Sequence, residues 1–290
     1  MSIVEINNLV KKYGDNVAVN DLSLNIDSKG VYGFLGPNGA GKSTTMNVLT
    51  GYIGATSGTV KINGYDIFKE PEEAKKNVGY LPEIPPLYQD MTVYEYLEFV
   101  SKIKKIKKEE RKACIEQSLE MTRTTEVRER LIRNLSKGYK QRVGIAQALI
   151  GMPDLIILDE PTVGLDPKQI IEIRDLIRNL GKEHTVILSS HILTEISEVC
   201  ENIFIISQGK LVASGREEEL IEELAGENRI EAIIKGDANE IENILDKFGC
   251  KHSIETLDDE KCKAQIVTSR DIDIREGLFF SLAEKKMPLL

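Results

Sequence analysis

Short apolar runs, glycine turns and helical stretches succeed one another along the first two thirds of the chain. Residues 3–9 and 17–26 alternate apolar and polar positions, the period of half-buried strands. Val31-Tyr32-Gly33-Phe34-Leu35 is a continuous apolar run of the length of a buried strand, and it leads into a glycine-rich turn. Lys42 to Thr50 then has helical composition. From about Pro82 to Ile150 the pattern is helical, and Thr92-Val93-Tyr94-Glu95 is a capping box that predicts a helix start. Leu155 to Leu158 and Thr185 to Ser189 are short apolar runs bounded by polar or turn residues, as buried parallel strands are.

Past Arg216 the pattern changes. Glu217 to Leu224 reads as an acidic helix, Arg229 to Ile234 as a strand, and Ala238 to Phe248 as an amphipathic helix with Ile241, Ile244, Leu245 and Phe248 on one face. Lys251 to Thr256 and Lys263 to Thr268 alternate around Leu257-Asp258-Asp259-Glu260, which predicts a hairpin, and Asp271 to Lys285 reads as a further helix. The order is that of a small split βαβ domain whose last strand would begin at Met287-Pro288-Leu289-Leu290, so the chain is expected to stop short of it.

Composition narrows the class. The 290 residues are 41% hydrophobic and 29% charged, ordinary for a soluble globular protein, and no apolar stretch reaches the roughly 18 residues of a membrane-spanning helix. The N-terminus lacks the basic start and apolar run of a secretion signal, so a cytoplasmic location is expected. Cys114, Cys200, Cys250 and Cys262 are scattered, without metal-ligand spacing or a disulfide framework. The net charge of -9 is unevenly placed: residues 1–216 hold 28 basic and 28 acidic residues, residues 217–290 hold 10 and 19. The acidic tail argues against phosphate-backbone binding there and sets a domain boundary near Glu217. The run Lys102 to Lys108 reads as a solvated helix face, with contact to an acidic partner or anionic lipid headgroups as the alternative.

The chemistry lies in three motifs. Gly36-Pro37-Asn38-Gly39-Ala40-Gly41-Lys42-Ser43 fits G-x-x-x-x-G-K-S/T between a strand and a helix, and Thr44 continues it. Its glycines let successive amides point inward as an anion nest, Lys42 is placed to neutralise β and γ phosphates, and the Ser43 hydroxyl suits Mg²⁺. Leu155-Ile156-Ile157-Leu158-Asp159-Glu160-Pro161 ends an apolar strand in two acids, one to hold Mg²⁺ through water (Asp159) and one to polarise an attacking water (Glu160).

Leu135-Ser136-Lys137-Gly138-Tyr139-Lys140-Gln141-Arg142, with Gly164-Leu165-Asp166 and Leu188-Ser189-Ser190-His191, completes a set that resembles the nucleotide-binding subunits of ABC transporters over residues 3 to 220. The resemblance implies an α/β phosphate-loop NTPase core with a helical subdomain, and two ATPase subunits, as a homodimer or a heterodimer, packed head to tail around ATP and Mg²⁺. Residues 1–216 would be the ATPase domain, with the helical subdomain at about 84–150, and residues 217–290 a small α+β accessory domain. By the same resemblance Ser136 and Gly138 contact the γ-phosphate across the dimer, Asp166 links the two sites, His191 holds the γ-phosphate and Glu160 in register, and Tyr13 stacks on adenine.

Two positions depart from the family pattern. Glu83, in Gly79-Tyr80-Leu81-Pro82-Glu83, stands where the family has Gln; it keeps an oxygen for Mg²⁺ or water and adds a charge. Lys137 and Tyr139 replace Gly and Gln in the signature. These departures, with Pro-Pro-Leu-Tyr and Pro-Thr-Val-Gly-Leu-Asp-Pro, resemble the ATPases of type-2 ABC exporters, most closely those of gliding motility and multidrug export. The function so implied is ATP-driven export through separate polytopic membrane subunits, with the ATPase peripheral at the inner face of the membrane and no nucleic acid as partner. The alternative is a soluble ABC ATPase acting on ribosomes or DNA, whose members carry two cores or long coiled coils; this chain has one core and no sustained heptads.

Overall fold

The alternation at the N-terminus closes into a hairpin. In the computed structural model, which describes residues 2–224, 228–258, 261–268 and 273–290, β1 (Val4–Tyr13) pairs antiparallel with β2 (Asn16–Ile26). The chain divides into two units, Met1–Glu217 and Glu218–Leu290.

In the first unit β3 (Gly30–Leu35) runs into α1 (Lys42–Leu49), followed by β4 (Ser57–Ile62), β5 (Tyr65–Asp66), α2 (Pro71–Lys76) and β6 (Val78–Leu81). Three helices follow, α3 (Val93–Ile103), α4 (Lys108–Met121) and α5 (Lys137–Leu149), then β7 (Leu155–Asp159), α6 (Pro167–Leu180), β8 (Thr185–Ser190), α7 (Leu193–Ser197), β9 (Asn202–Ser207) and β10 (Lys210–Gly215). One sheet has the order β2-β1-β4-β5 and the other β10-β9-β3-β8-β7-β6. In the second, β3 runs parallel to β8 and β9, and β7 parallel to β6 and β8, with β10 antiparallel at one edge. Every residue of β7 and β8 is buried, which is why their sequences are unbroken rather than alternating. Ile6, Phe34, Met46, Leu49, Ile62, Ile157, Ile187 and Ile206 share one apolar core between the layers.

This topology positions the site. Because the strands are parallel, their carboxyl ends come to one edge: Leu35 pairs with Ser190 and Asp159 with Ser189. The glycine loop, the two acids and the Ser-Ser-His segment therefore leave the sheet side by side.

The helical stretch is built as its local signals require. The Thr92 hydroxyl accepts from Glu95 N (3.2 Å), while the Glu95 carboxylate accepts from Thr92 N (2.8 Å) and from the Thr92 hydroxyl (2.9 Å), and these last two bonds hold the Glu95 carboxyl below its usual pKa. Val93 and Leu97 of α3, Ile115 and Leu119 of α4, and Val143 and Ala146 of α5 form one core. The segment is not helical throughout: 3-10 turns at Thr125–Val127 and Ile132–Asn134 bridge α4 to α5. Nor is the lysine run a helix face. The chain turns at Lys105, whose φ of 57° is left-handed, between the end of α3 and the start of α4. Lys104 turns inward, its amine donating to the carbonyls of Ile150 (2.7 Å) and Ala148 (3.4 Å).

α8 (Glu217–Leu224) begins at the boundary and leads into the second unit, which continues with β11 (Asn228–Lys235), α9 (Ala238–Asp246), β12 (Lys251–Asp258), β13 (Lys261–Thr268) and α10 (Arg275–Glu284). Its sheet, β11-β13-β12, is antiparallel, and Ile241, Ile244 and Leu245 of α9 pack with Leu278 and Leu282 of α10 against Ile234, Ala264 and Ile266. Asp237 caps α9 by accepting from Asn239 N and Glu240 N. The tip of the predicted hairpin, residues 259–260, and the first two positions of the helix predicted from Asp271 lie outside the described residues. The terminal apolar run already engages the sheet: Leu289 bridges Ile234 antiparallel, Lys235 N donates to the Pro288 carbonyl (2.9 Å), and Leu290 N donates to the Ile233 carbonyl (2.9 Å). Among the described residues no helix is long and apolar enough to cross a membrane.

Candidate active site

The buried strand β3 delivers the chain to a loop that only glycine can follow at its last turn. Gly41 takes a φ of 102°, and a Cβ there would stand 2.4 Å from the Ala18 carbonyl oxygen. Gly41 is also the N-cap of α1 and offers no side-chain acceptor, so the first amides of the helix remain available to an anion, which the helix dipole favours. Lys42 is 5% exposed, and its amine lies 2.7 Å from the Gly36 carbonyl, 3.4 Å from that of Pro37 and 3.5 Å from Glu160 Oε1. The loop thus holds a buried cation whose balance is supplied from the chain itself.

That balance comes from the end of β7. Asp159, 3% exposed, accepts from the Ser189 hydroxyl (2.5 Å) and stands 3.4 Å from Ser43 Oγ. A hydroxyl and a carboxylate side by side at the foot of the loop are the hard oxygen donors Mg²⁺ takes, with water and phosphate oxygens filling the remaining positions. Glu160 has a φ of 47°, a left-handed conformation rare for a residue with a side chain. Its N–H donates to Ser189 Oγ (3.0 Å), and its carboxylate meets His191 Nδ1 at 3.0 and 3.2 Å. The arrangement sets a carboxylate able to take a proton beside a cation and an imidazole.

Tyr13, Asn38, Gly39, Gly41, Lys42, Ser43, Thr44, Glu83, Glu160 and His191 line one cleft of ≈ 720 Å³. Tyr13 is half exposed at the end of β1, with the Lys11 amine 5.0 Å from its ring centre. Gly36 and Ala40, both buried, and the exposed Pro37 belong to the loop but do not line the cleft. Glu83 is exposed on the loop after β6 and, among the described residues, makes no hydrogen bond or ion pair. Asn16, Val17 and Gln208 also line the cleft, and no sequence feature marks them: they lie in ordinary turns and strand starts brought there by the sheets.

Ser136, Gly138 and Asp166 line a different cavity of ≈ 280 Å³, with Tyr139, Arg142 and Gln169. Ser136 caps α5, its hydroxyl accepting from Tyr139 N (3.4 Å), and Asp166 caps α6, accepting from Gln169 N (2.9 Å). A Cβ on Gly138 would come within 2.8 Å of the Gln169 side chain, so this helix start fits glycine closely. The chain therefore carries these two helix starts in separate clefts, each without the other's residues.

Known proteins share this build. The ABC transporter family matches residues 19–163. The bacitracin transport ATP-binding protein of Bacillus licheniformis is 42% identical over 73% of this chain and 69% of its own. The linearmycin resistance ATP-binding protein of Bacillus subtilis (strain 168) is 35% identical over 81% of this chain and 76% of its own. Among solved structures, a dimeric post-hydrolysis state of an ATP-binding cassette bound to ADP and Pi matches with a TM-score of 0.65 at 26% identity, covering 73% of this chain and 98% of that one.

Proposed function

The chain belongs to the ABC transporter family and is an ATP-binding subunit that hydrolyses ATP, and from that premise we propose that its turnover drives export through separate membrane-spanning subunits. Subunits of this family dimerise and work with membrane permeases. The observation that carries the reading is the division of the nucleotide residues between two clefts. A triphosphate in the first cleft meets Lys42, Ser43 and Thr44 but no residue of Ser136–Gly138, so a second copy is the natural source of the missing wall. Head-to-tail pairing supplies it twice over.

In this reading the amides of Asn38, Gly39 and Gly41 to Thr44 and the Lys42 amine hold the phosphates, with the turn built by Gly36, Pro37, Gly39, Ala40 and Gly41 and closed by Ala40 N donating to the Pro37 carbonyl (3.1 Å), and Tyr13 stacks on adenine. Mg²⁺ is held by Ser43 and Asp159, with Glu83 at the rim, and when bound it neutralises charge on the phosphate oxygens. Glu160 takes a proton from the attacking water as the γ-phosphorus bond to the leaving oxygen breaks, and His191 keeps Glu160 and the γ-phosphate in register. Ser136 and Gly138 reach the γ-phosphate of the opposite subunit, and Asp166 links the two sites. ATP binding closes the dimer and hydrolysis reopens it.

The movement needs a seat for the membrane subunit. A groove of ≈ 790 Å³ lies beside the Glu83 loop, lined by Tyr52, Lys75, Tyr80, Pro82, Lys104 and Gln147, and no Asp or Glu lines it. It suits an amphipathic cytoplasmic helix. The bacitracin and linearmycin relatives favour an exporter over a soluble clamp, and the type-2 exporter group is the finer assignment. Docking there would hold the chain at the inner face of the membrane. Residues 217–290 form an accessory domain in this reading, a lid that stabilises the dimer.

Purification of the tagged chain from detergent-solubilised membranes of its host, with mass spectrometry of what accompanies it, tests the proposal. Recovery of a polytopic membrane protein in about equal amount is expected. Recovery of ribosomes or DNA-repair proteins with no membrane partner would overturn it.

A further inference from the structure

The backbone ladder between β7 and β8 reaches only to Asp159 and Ser189. Glu160 lies one residue beyond that last rung and His191 two, yet their side chains meet at 3.0 Å. Something other than the sheet must fix the two loops against one another. Ser189 supplies the inner tie, donating to Asp159 and accepting from Glu160 N. It does not reach past Glu160.

An outer tie lies four residues beyond His191, in the first turn of α7. Glu195 is a carboxylate only 8% exposed, and one of its oxygens, Oε2, accepts from both the Thr162 hydroxyl (2.8 Å) and the Ser190 hydroxyl (3.0 Å). Thr162 and Ser190 are themselves 6% and 1% exposed. Ser190 Oγ in turn accepts from Ile192 N (3.1 Å), so the chain of bonds runs from the loop after Glu160, through Glu195, to both sides of His191. A buried carboxylate whose partners are two hydroxyls, one from each loop, is costly to place for packing alone.

We propose that Glu195 is a positioning residue for hydrolysis, a clip that holds the Glu160 loop and the His191 loop at the separation their contact requires. It does not touch nucleotide; Thr162 and Ser190 carry its effect to either side of the pair. The proposal rests on Glu160 and His191 acting together as read above.

Three variants of the full chain test it, each measured for ATP turnover and, separately, for equilibrium binding of a fluorescent ATP analogue. Glu195→Leu keeps volume but removes the shared acceptor, and Thr162→Val removes one donor in a near-isosteric side chain. Both should lower kcat, Glu195→Leu by roughly tenfold or more, the scale of a small misplacement of catalytic groups. Nucleotide affinity should stay within about twofold of the parent, because the phosphate loop is untouched. Glu195→Gln should restore turnover to within about threefold, since both hydroxyls donate to a single oxygen that the amide retains. If Glu195→Leu unfolds, the Thr162→Val and Glu195→Gln pair still decides: an unchanged kcat in Thr162→Val, or loss in Glu195→Gln equal to that in the apolar variants, would overturn the clip. Loss of nucleotide affinity in parallel with kcat would overturn it too. Glu160→Gln is the control for the underlying reading: full turnover in that variant would remove the pair itself and the clip with it.

Discussion

Glu160 is where backbone and chemistry meet most closely. A left-handed φ at a residue with a side chain costs on the order of 1–3 kcal/mol, and it is held here by a bond from its N–H to Ser189 and by Lys42 and His191 on its carboxylate. The turn carries the carboxylate off the line of β7 and over the phosphate loop. Lys42, Asp159 and Glu160 are legible in sequence because their motifs fix residue type at fixed spacing, and His191 is legible through the family resemblance. Ser189, Thr162 and Glu195 are not, since a hydroxyl or carboxylate that accepts within a buried loop has no pattern until the loops are folded together. Glu83 lies between these cases: its motif position marks it, while the structure leaves it exposed at the rim of the cleft and without a hydrogen bond or ion pair among the described residues. Glu83→Gln, which restores the amide, is therefore expected to change kcat by less than about tenfold. A loss of a hundredfold or more, the scale of removing a key electrostatic group, would make the carboxylate itself catalytic.

Among the elements, those with local signals were readable and those defined by their neighbours were not. The capping box at Thr92 and the apolar runs of β7 and β8 announce themselves within a few residues. By contrast β6 is four residues long, β10 alternates only between half-buried and exposed, and both are strands because of what they pair with. Helix α6 carried readable signals in its Asp166 cap, Pro167 and the buried stripe of Ile173, Leu176, Ile177 and Leu180. The lysine run shows how a charge pattern misleads: composition gave a solvated face, whereas a left-handed Lys105 splits the run and Lys104 is drawn onto the last carbonyls of α5 and beyond. Burial lowers its amine to a pKa of about 8, against a small opposing effect of the Cys114 thiol. Because the folded pKa lies below the unfolded one, the unfolded chain binds more protons between about pH 8 and 10.5, and stability attributable to Lys104 rises with pH through that window. Urea midpoints of the parent and of Lys104→Met at pH 7.5 and 9.5 check this: the difference should move in favour of the parent at the higher pH. A difference that stays constant would mean the amine is solvated in the folded chain.

At the scale of the whole molecule, balanced charge in residues 1–216 and an acidic excess in residues 217–290 coincide with a change of architecture, from mixed parallel sheet and helices to a small antiparallel sheet under two helices. Sequence alone could not show that Leu289 already bridges β11, because a single rung carries no periodic signal. The main consequence at this scale concerns assembly. Each chain holds a phosphate loop with its acid and imidazole in one cleft and a capped helix start with Ser136 and Gly138 in another. In the proposed sandwich bound triphosphate would join the two, its γ-phosphate offering acceptors to donors on both subunits. Hydrolysis removes that link, so blocking hydrolysis without blocking binding should trap the pair. On the role proposed for Glu160, Glu160→Gln is expected to do so: the amide keeps the shape of the side chain but cannot take the proton from water. With MgATP this variant should elute from a sizing column at twice the mass of the nucleotide-free protein, and the parent should return to monomer as ATP is consumed. A Glu160→Gln protein that binds ATP and stays monomeric would exclude the sandwich, and with it the assignment of Ser136 and Gly138 to the partner's nucleotide.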